Sequence, residues 1–288
     1  MTDLYLAAAV QLALAAAALM GGRAMVKHTS LWVTGAAVLL ACAAIGAYLQ
    51  WGRATGWWTQ FFPVSAAIVY ANPSPVLASF LAGVVSGLER VPRWRRVPLV
   101  AVVVATGGYE TAALFSVTPP PVRAVFTDDV ARQTDQATCS AAAAATLLRT
   151  VGVPGAEQAT ETTMVGPCLT DARGTPLLGL YRGLKLATAG TGYGPVFHDL
   201  TPAQLRDRTD LLPAIVSVKL TPEVDFREPR YRARWGWLLN VTHSVVVFRF
   251  VSEGRVEVGD PAAGRELWST RALDDLWVGD VLTLERPE

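Results

Sequence analysis

Residues 133–152 read QTDQATCSAAAAATLLRTVG, and the fold turns on how this stretch is taken. Alanine and leucine have the highest intrinsic helix propensities, so the run from Cys139 predicts a helix that Thr138 can cap and Gly152 can end. Its face of consecutive alanines permits close approach by neighbours, which makes it a central, buried helix. A cysteine in the first turn sits where unsatisfied backbone N–H groups and the helix dipole favour an anion, lowering a thiol pKa from about 8.5 toward neutrality. Taken alone, though, a cysteine beside alanines is more often inert core than a nucleophile.

Downstream, TPLLGLYRGLKLATAG (175–190) carries leucines at helical spacing with Gly190 as its stop, and TPAQLRDRT (201–209) opens with the Thr-Pro pair of a short helix. The periodicity then changes. PAIVSVKL (213–220), HSVVVFRFV (243–251), RVEVGD (255–260) and DVLTLERP (280–287) are β-branched and partly alternating, as strands are, and Ser252-Glu253-Gly254 suits a hairpin turn. Helices first and antiparallel strands second predict an α+β domain rather than a doubly wound sheet. No internal repeat, heptad, P-loop or GxGxxG occurs in the chain.

Upstream the composition is different. The chain is 51% hydrophobic and 17% charged, and the first 118 residues hold most of the apolar excess. Residues 4–21 and 31–50 are uncharged runs long enough to cross about 30 Å of hydrocarbon at about 1.5 Å per residue. The first follows MTD, without the basic region of a cleaved signal peptide, and reads as a span. Residues 57–88 start with aromatics suited to an interface and are interrupted at Asn72-Pro73-Ser74-Pro75, giving one broken span or a short hairpin. The last run, 97–117, carries Glu110, a charge expensive in lipid that should face other helices or the interface.

Basic residues set the expected orientation. Arg23 and Lys27 follow the first span and Arg90, Arg93, Arg95 and Arg96 precede the last, whereas the 51–58 loop has only Arg53. One broken crossing through 57–88 puts both basic loops in the cytoplasm, giving about four spans. The expectation is an integral protein of the cell membrane: a transmembrane helical domain over 1–118 in the lipid bilayer, a semi-rigid Pro119-Pro120-Pro121 spacer, and an extracytoplasmic domain over 119–288.

A formal charge of +1 and a pI near 7.7 supply no electrostatic pull toward nucleic acid, and three scattered cysteines make neither a disulfide framework nor a paired zinc motif. Three side chains change the weight given to Cys139. Gln133, six residues earlier, can aim an amide at an oxyanion beside the sulfur. His243 begins a valine-rich strand, where an imidazole can take the thiol proton. Asp260 ends the next strand before Pro261 and can hold that imidazole in the right tautomer.

Together QTDQATC, HSVVVF, VEVGDPAAG and ALDDLWVGDVLTL resemble the double-glycine leader peptidases, papain-like cysteine peptidases that process bacteriocin precursors, and their relatives outside transporters. The matching positions are Gln133, Cys139, His243, Asp260 with Pro261 and Gly264, and Trp277 with Gly279, over most of residues 125–288 and none of the membrane half. The resemblance implies a papain-like fold and a cysteine-type endopeptidase acting on a polypeptide, which the apolar runs upstream would anchor in the membrane. In it Cys139 is nucleophile, His243 base and then acid, Asp260 orienter and Gln133 oxyanion donor, and no metal or cofactor takes part. The chain departs from the pattern at Ser140, where glycine is usual, and at Ser244, where a bulky residue is frequent. No Walker motif is present, so the expected member is outside the transporters, with no nucleotide partner. An idle domain of the same fold, binding peptides as a membrane receptor or assembly factor, is the alternative; an acyltransferase with the same triad is a third.

Other residues have plainer readings. Cys168 is a free buried thiol or a disulfide partner for Cys139, and Cys42 packs within a span. His198 beside Asp199 is a satisfied surface histidine, and His28 is cytoplasmic surface. FREPRYRARWGWLLN (226–240) is a solvated loop with two core tryptophans, or equally a groove rim or a patch on anionic headgroups. NVT at 240–242 matches a glycosylation sequon.

Overall fold

The computed structural model describes residues 1–53, 55–252 and 254–286, in two compact units, Met1–Val117 and Thr118–Glu288.

The first unit is all helical: α1 (Thr2–His28), α2 (Leu31–Ala47), continued by a π-helical turn Tyr48–Gly52, then α3 (Ala67–Tyr70), α4 (Ser74–Gly87) and α5 (Arg93–Ala113). Among the described residues three lengths are long and apolar enough to cross a membrane: Thr2–His28, Leu31–Gly52 and Ala67–Gly87. The fourth expected span forms α5, whose first turn gathers Arg93, Arg95 and Arg96 and whose last contains Glu110; these charges set it apart from the other three.

The chain breaks between α3 and α4 at Asn72-Pro73-Ser74-Pro75. Two prolines remove ladder donors there, and Gln11 of α1 meets the break, its Nε2 donating to Val69 O at 2.9 Å and Asn72 O at 2.8 Å. Thr111 Oγ1 donates to Gln11 Oε1 at 2.9 Å, so the buried amide is satisfied at both ends. Backbone without such partners would cost several kcal/mol per group in hydrocarbon, about enough to exclude a break there. A Cβ on Gly22 would lie 2.2 Å from Phe80 O, and one on Gly83 2.1 Å from Leu19 O, so only glycine allows α1 and α4 this close. Glu110 pairs with Arg53 at 3.3 Å. Cys42, expected to pack within a span, is instead exposed on α2, which few other elements cover.

The second unit is α+β. Its elements are β1 (Phe126–Thr127), β2 (Val130–Ala131), α6 (Cys139–Val151), α7 (Glu161–Met164), α8 (Leu177–Ala187), β3 (Gly194–His198), α9 (Pro202–Asp207), β4 (Ala214–Lys219), α10 (Pro222–Arg227), α11 (Arg230–Ala233), β5 (Thr242–Ser252), β6 (Arg255–Asp260), β7 (Gly264–Ser269), α12 (Thr270–Leu276) and β8 (Trp277–Glu285). Six strands form one antiparallel sheet in the order β3-β8-β4-β5-β6-β7. α6 lies against β5 and β4, and every residue from Cys139 to Leu148 is buried. A helix buried all round must be apolar all round, and alanine keeps it thin enough for sheet and helices to close on it. Valines of β4, β5 and β6 fill the sheet's other core with Trp268, Leu273 and Tyr231.

Several details differ from the sequence reading. Thr138 stands at the N-cap of α6, but its hydroxyl makes no cap bond; its single proton lies between Asp135 O, 2.8 Å away, and the buried Glu161 carboxylate, the stronger acceptor of the two. β8 starts at Trp277 rather than 280, with an irregularity where Gly279 (φ 125°) and Asp280 (φ 54°) both take positive φ. Strands β3 and β7 and helices α10 to α12 are additional elements. Glu253 of the expected hairpin turn lies outside the described residues; beside it, Ser252 pairs with Arg255. Gly152 ends α6 in the left-handed conformation, as expected of it.

Candidate active site

Site geometry follows from how β5 and β6 pair. Val246 stands opposite Gly259, which brings the end of β6 alongside the start of β5 and puts Asp260 within reach of His243. Asp260 is fully buried, and its Oδ1 is 2.7 Å from His243 Nε2. The same oxygen accepts from Ala262 N–H at 2.8 Å, closing an Asx-type turn, while Oδ2 accepts from Trp237 Nε1–H at 3.1 Å. Three donors therefore converge on one buried carboxylate, as a buried charge requires. The Trp237 ring packs on the imidazole, centroids 4.4 Å apart.

With Nε2 given to Asp260, His243 keeps Nδ1 for another partner; the Cys139 thiol lines the same cleft, and the imidazole is the largest of the influences that favour its ionisation. Cys139 occupies the first position of α6, where N–H groups have no intrahelical acceptor. Burial is the largest single influence on its thiol and opposes ionisation. The neighbouring His243 charge, hydrogen bonds from that ring and from the Ser244 backbone, and the Ser140 hydroxyl outweigh burial, so the thiol pKa is lowered. For His243 burial is again largest and favours the neutral ring, but Asp260 and then Cys139 overcome it and raise the imidazole from 6.5 to about 10. The two groups thus favour thiolate and imidazolium together.

Gln133 lines the same small cleft as Cys139 and His243, with Gln136, Ala262 and the 235–242 segment. The cleft has about 30 Å³ of room, enough for one or two waters, so a larger ligand would lie across it rather than inside. Gln133 N–H donates to Pro261 O at 2.9 Å, and its side-chain Oε1 is buried without a partner. Next to it, the Arg132 guanidinium donates to three consecutive carbonyls: Pro261 at 3.1 Å, Ala263 at 3.0 Å and Ala262. Residues 132 and 133 are in this way fastened to the turn that follows Asp260. On the other side, buried Glu161 accepts from Thr134 N–H at 2.8 Å, Thr134 Oγ1–H at 2.7 Å and the Thr138 hydroxyl, fixing the 133–138 loop.

The structure thus pairs His243 with Asp260 and gathers Cys139, His243 and Gln133 around one cleft. Other candidates lie elsewhere. His198 Nε2 contacts Glu285 Oε1 at 2.7 Å and Thr283 Oγ1 at 3.0 Å, a satisfied histidine. Cys168 is free and buried against α8, where burial pushes its thiol up to about 12; Cys139 is free as well. Trp237, weighed in the sequence as core or rim, is core and also a partner of Asp260. Arg132, Glu161 and the contact between Ser140 and Ser244 carry no signal in a single sequence. Among the described residues no three His, Cys, Asp or Glu side chains converge as a metal site would need.

Its neighbours among solved structures are peptidase domains. One is that of Streptococcus ComA, a bi-functional ABC transporter involved in a quorum sensing pathway, at 19% identity and TM-score 0.42, covering 55% of this chain and 98% of the other. A double glycine motif protease from an AMS/PCAT transporter, in complex with the leader peptide, aligns at 19% identity and TM-score 0.39 over 59% of this chain and 94% of its own. The peptidase domain of Streptococcus mutans ComA gives 19% identity and TM-score 0.37 over 55% and 98%. No family model and no curated protein sequence matches the chain. Likeness at this level decides nothing about activity, so the chemistry of this chain rests on its own side chains.

Proposed function

We propose that residues 119–288 are a papain-like cysteine-type endopeptidase domain, carried by a helical membrane unit over 1–118. The observation that supports this reading is the buried His243–Asp260 pair, 2.7 Å from Nε2 to Oδ1, in the cleft it shares with the Cys139 thiol, whose pKa the imidazole lowers. A structural cysteine needs no imidazole that lowers its pKa.

In the reaction the Cys139 thiolate attacks the scissile carbonyl carbon. The developing oxyanion is met by the Cys139 backbone N–H and by Gln133 Nε2, a donor of a kind worth about 10²–10³ in rate. Gln133 Oε1 has no partner, so nothing on that oxygen resists turning the amide toward the anion. His243 gives its Nδ1 proton to the leaving amine, which departs and leaves a thioester on Cys139. Water then attacks the thioester carbonyl while His243 takes its proton, and the sulfur leaves as thiolate with the acid product. Asp260 holds the Nε2–H throughout and keeps the ring in place.

The membrane unit is read as four crossings, α5 being the fourth, with the peptidase domain on the extracytoplasmic side and a polypeptide as substrate. Reporter fusions after residue 118 test the side. Alkylating the full-length chain in detergent with iodoacetamide tests the chemistry: Cys139 should react at neutral pH and His243→Ala should slow it at least tenfold. A thiol that reacts like free cysteine in both proteins refutes the enzyme; a reactive thiol with no cleavage of any peptide in a library points to the receptor reading.

A further inference from the structure

Two buried hydroxyls next to the sulfur have no part in the mechanism above. Ser140 Oγ lies 2.8 Å from Ser244 Oγ and 3.9 Å from Cys139 Sγ, within reach of a hydrogen bond to sulfur. Ser140 is 8% exposed and Ser244 6%. These are the two positions at which the chain departs from the pattern it resembles, and they depart together: one serine comes from α6, the other from β5, and each is the other's partner. A glycine at 140 could not take part in such a contact.

We propose that Ser244 and Ser140 form a two-hydroxyl chain ending on the nucleophile, with Ser244 donating to Ser140 and Ser140 donating to the Cys139 thiolate. Each hydroxyl has one proton, so the contact between them can run in either direction. An anionic sulfur decides it. Were Ser140 to donate to Ser244, it would turn a lone pair toward the thiolate; donating to the sulfur leaves it an acceptor for Ser244. Residues 243 and 244 of β5 both act on the sulfur, the Ser244 backbone as well as the imidazole lowering the thiol pKa. The ionisable groups on this side are His243 and, behind it, Asp260 from β6. Ser140, which touches the reacting atom, is then a catalytic residue, and Ser244 acts through it as a positioning residue.

The inference rests on Cys139 being the nucleophile. Its test is the pH dependence of iodoacetamide alkylation at Cys139 in the full-length protein. Ser140→Ala and Ser140→Gly should each raise the apparent thiol pKa by about one unit, that is about tenfold less thiolate on the acid side. Ser244→Ala should raise it by less, Ser244→Thr should restore the wild-type value, and Ser140→Ala/Ser244→Ala should do no more than Ser140→Ala alone, because the outer hydroxyl acts only through the inner one. If His243→Ala shifts the profile but Ser140→Ala does not, or if the two serine substitutions add, this inference falls and the nucleophile stands. If wild-type Cys139 alkylates like free cysteine, both readings fall.

Discussion

Asp260→Asn removes one charge and inverts one hydrogen bond in a fully buried group. The carboxylate receives three donors on two oxygens: His243 Nε2–H and Ala262 N–H on Oδ1, and the Trp237 indole on Oδ2. Asparagine has one oxygen. Placed on the Oδ1 side, where two donors meet, it leaves its NH₂ facing the indole N–H, a donor against a donor at a fully buried position, at a cost of about 1–3 kcal/mol in stability. The lost charge matters more to reactivity. A carboxylate about 4 Å from the imidazolium charge is worth about 4 kcal/mol at an effective dielectric of 20, or about three pKa units on the ring. Asp260 is the largest of the influences that raise His243 to about 10, and without it burial pulls the ring toward neutrality. With the imidazolium goes the partner that holds the thiolate, so alkylation of Cys139 at pH 6–7 should fall by about 10²–10³. The assay is stopped-flow or quench alkylation of the full-length variant, with its thermal unfolding followed in parallel. A rate within threefold of wild type in a folded Asp260→Asn protein would refute the argument that this carboxylate governs the pair.

Three more outcomes follow. Peptide cleavage against pH should show a plateau through neutrality, falling on the acid side as the depressed Cys139 thiol takes up its proton and on the alkaline side as His243 loses its own toward about 10; a sharp optimum centred on an ordinary imidazole pKa would contradict the ion pair. Trp237→Phe keeps the ring on His243 but deprives Asp260 Oδ2 of its donor, and kcat should drop about tenfold with KM little changed, measured on any peptide the enzyme cleaves. Gly183→Ala should lower stability by about 1–3 kcal/mol in denaturant titration, because its Cβ would fall 2.2 Å from Cys168 Sγ in the core, more than offsetting the gain in helix propensity.

Parts of the molecule were readable from sequence because a single residue type carries the physics. Alanine and leucine announce α6 and Gly152 its end; β-branched, partly alternating runs announce β4, β5 and β6; Pro73 and Pro75 announce the break before α4. What stayed hidden depends on partners. GRELWS lacks a β-branched run and becomes β7 because the Asp260 turn returns the chain along β6, with Asp260 opposite Gly264. Trp237 looks like any core aromatic until Asp260 lies under its N–H, and Thr138 looks like a helix cap until Glu161 takes its hydroxyl. In the candidate site, the identities of Cys139, His243, Asp260 and Gln133 could be proposed from pattern and spacing, whereas Arg132, Glu161 and the serine pair exist only as contacts.

The sulfur and the imidazole are separated by 104 positions along the polypeptide, and the carboxylate enters only with the strand after that. A chain still emerging from the ribosome therefore carries at 139 a thiol like any other, slow toward oxidants and carbonyls, until β5 and β6 have been made and paired. On the proposed reading, reactivity switches on once these two strands pair, so an electrophile that marks Cys139 in a growing cell would pass over chains too short to contain them.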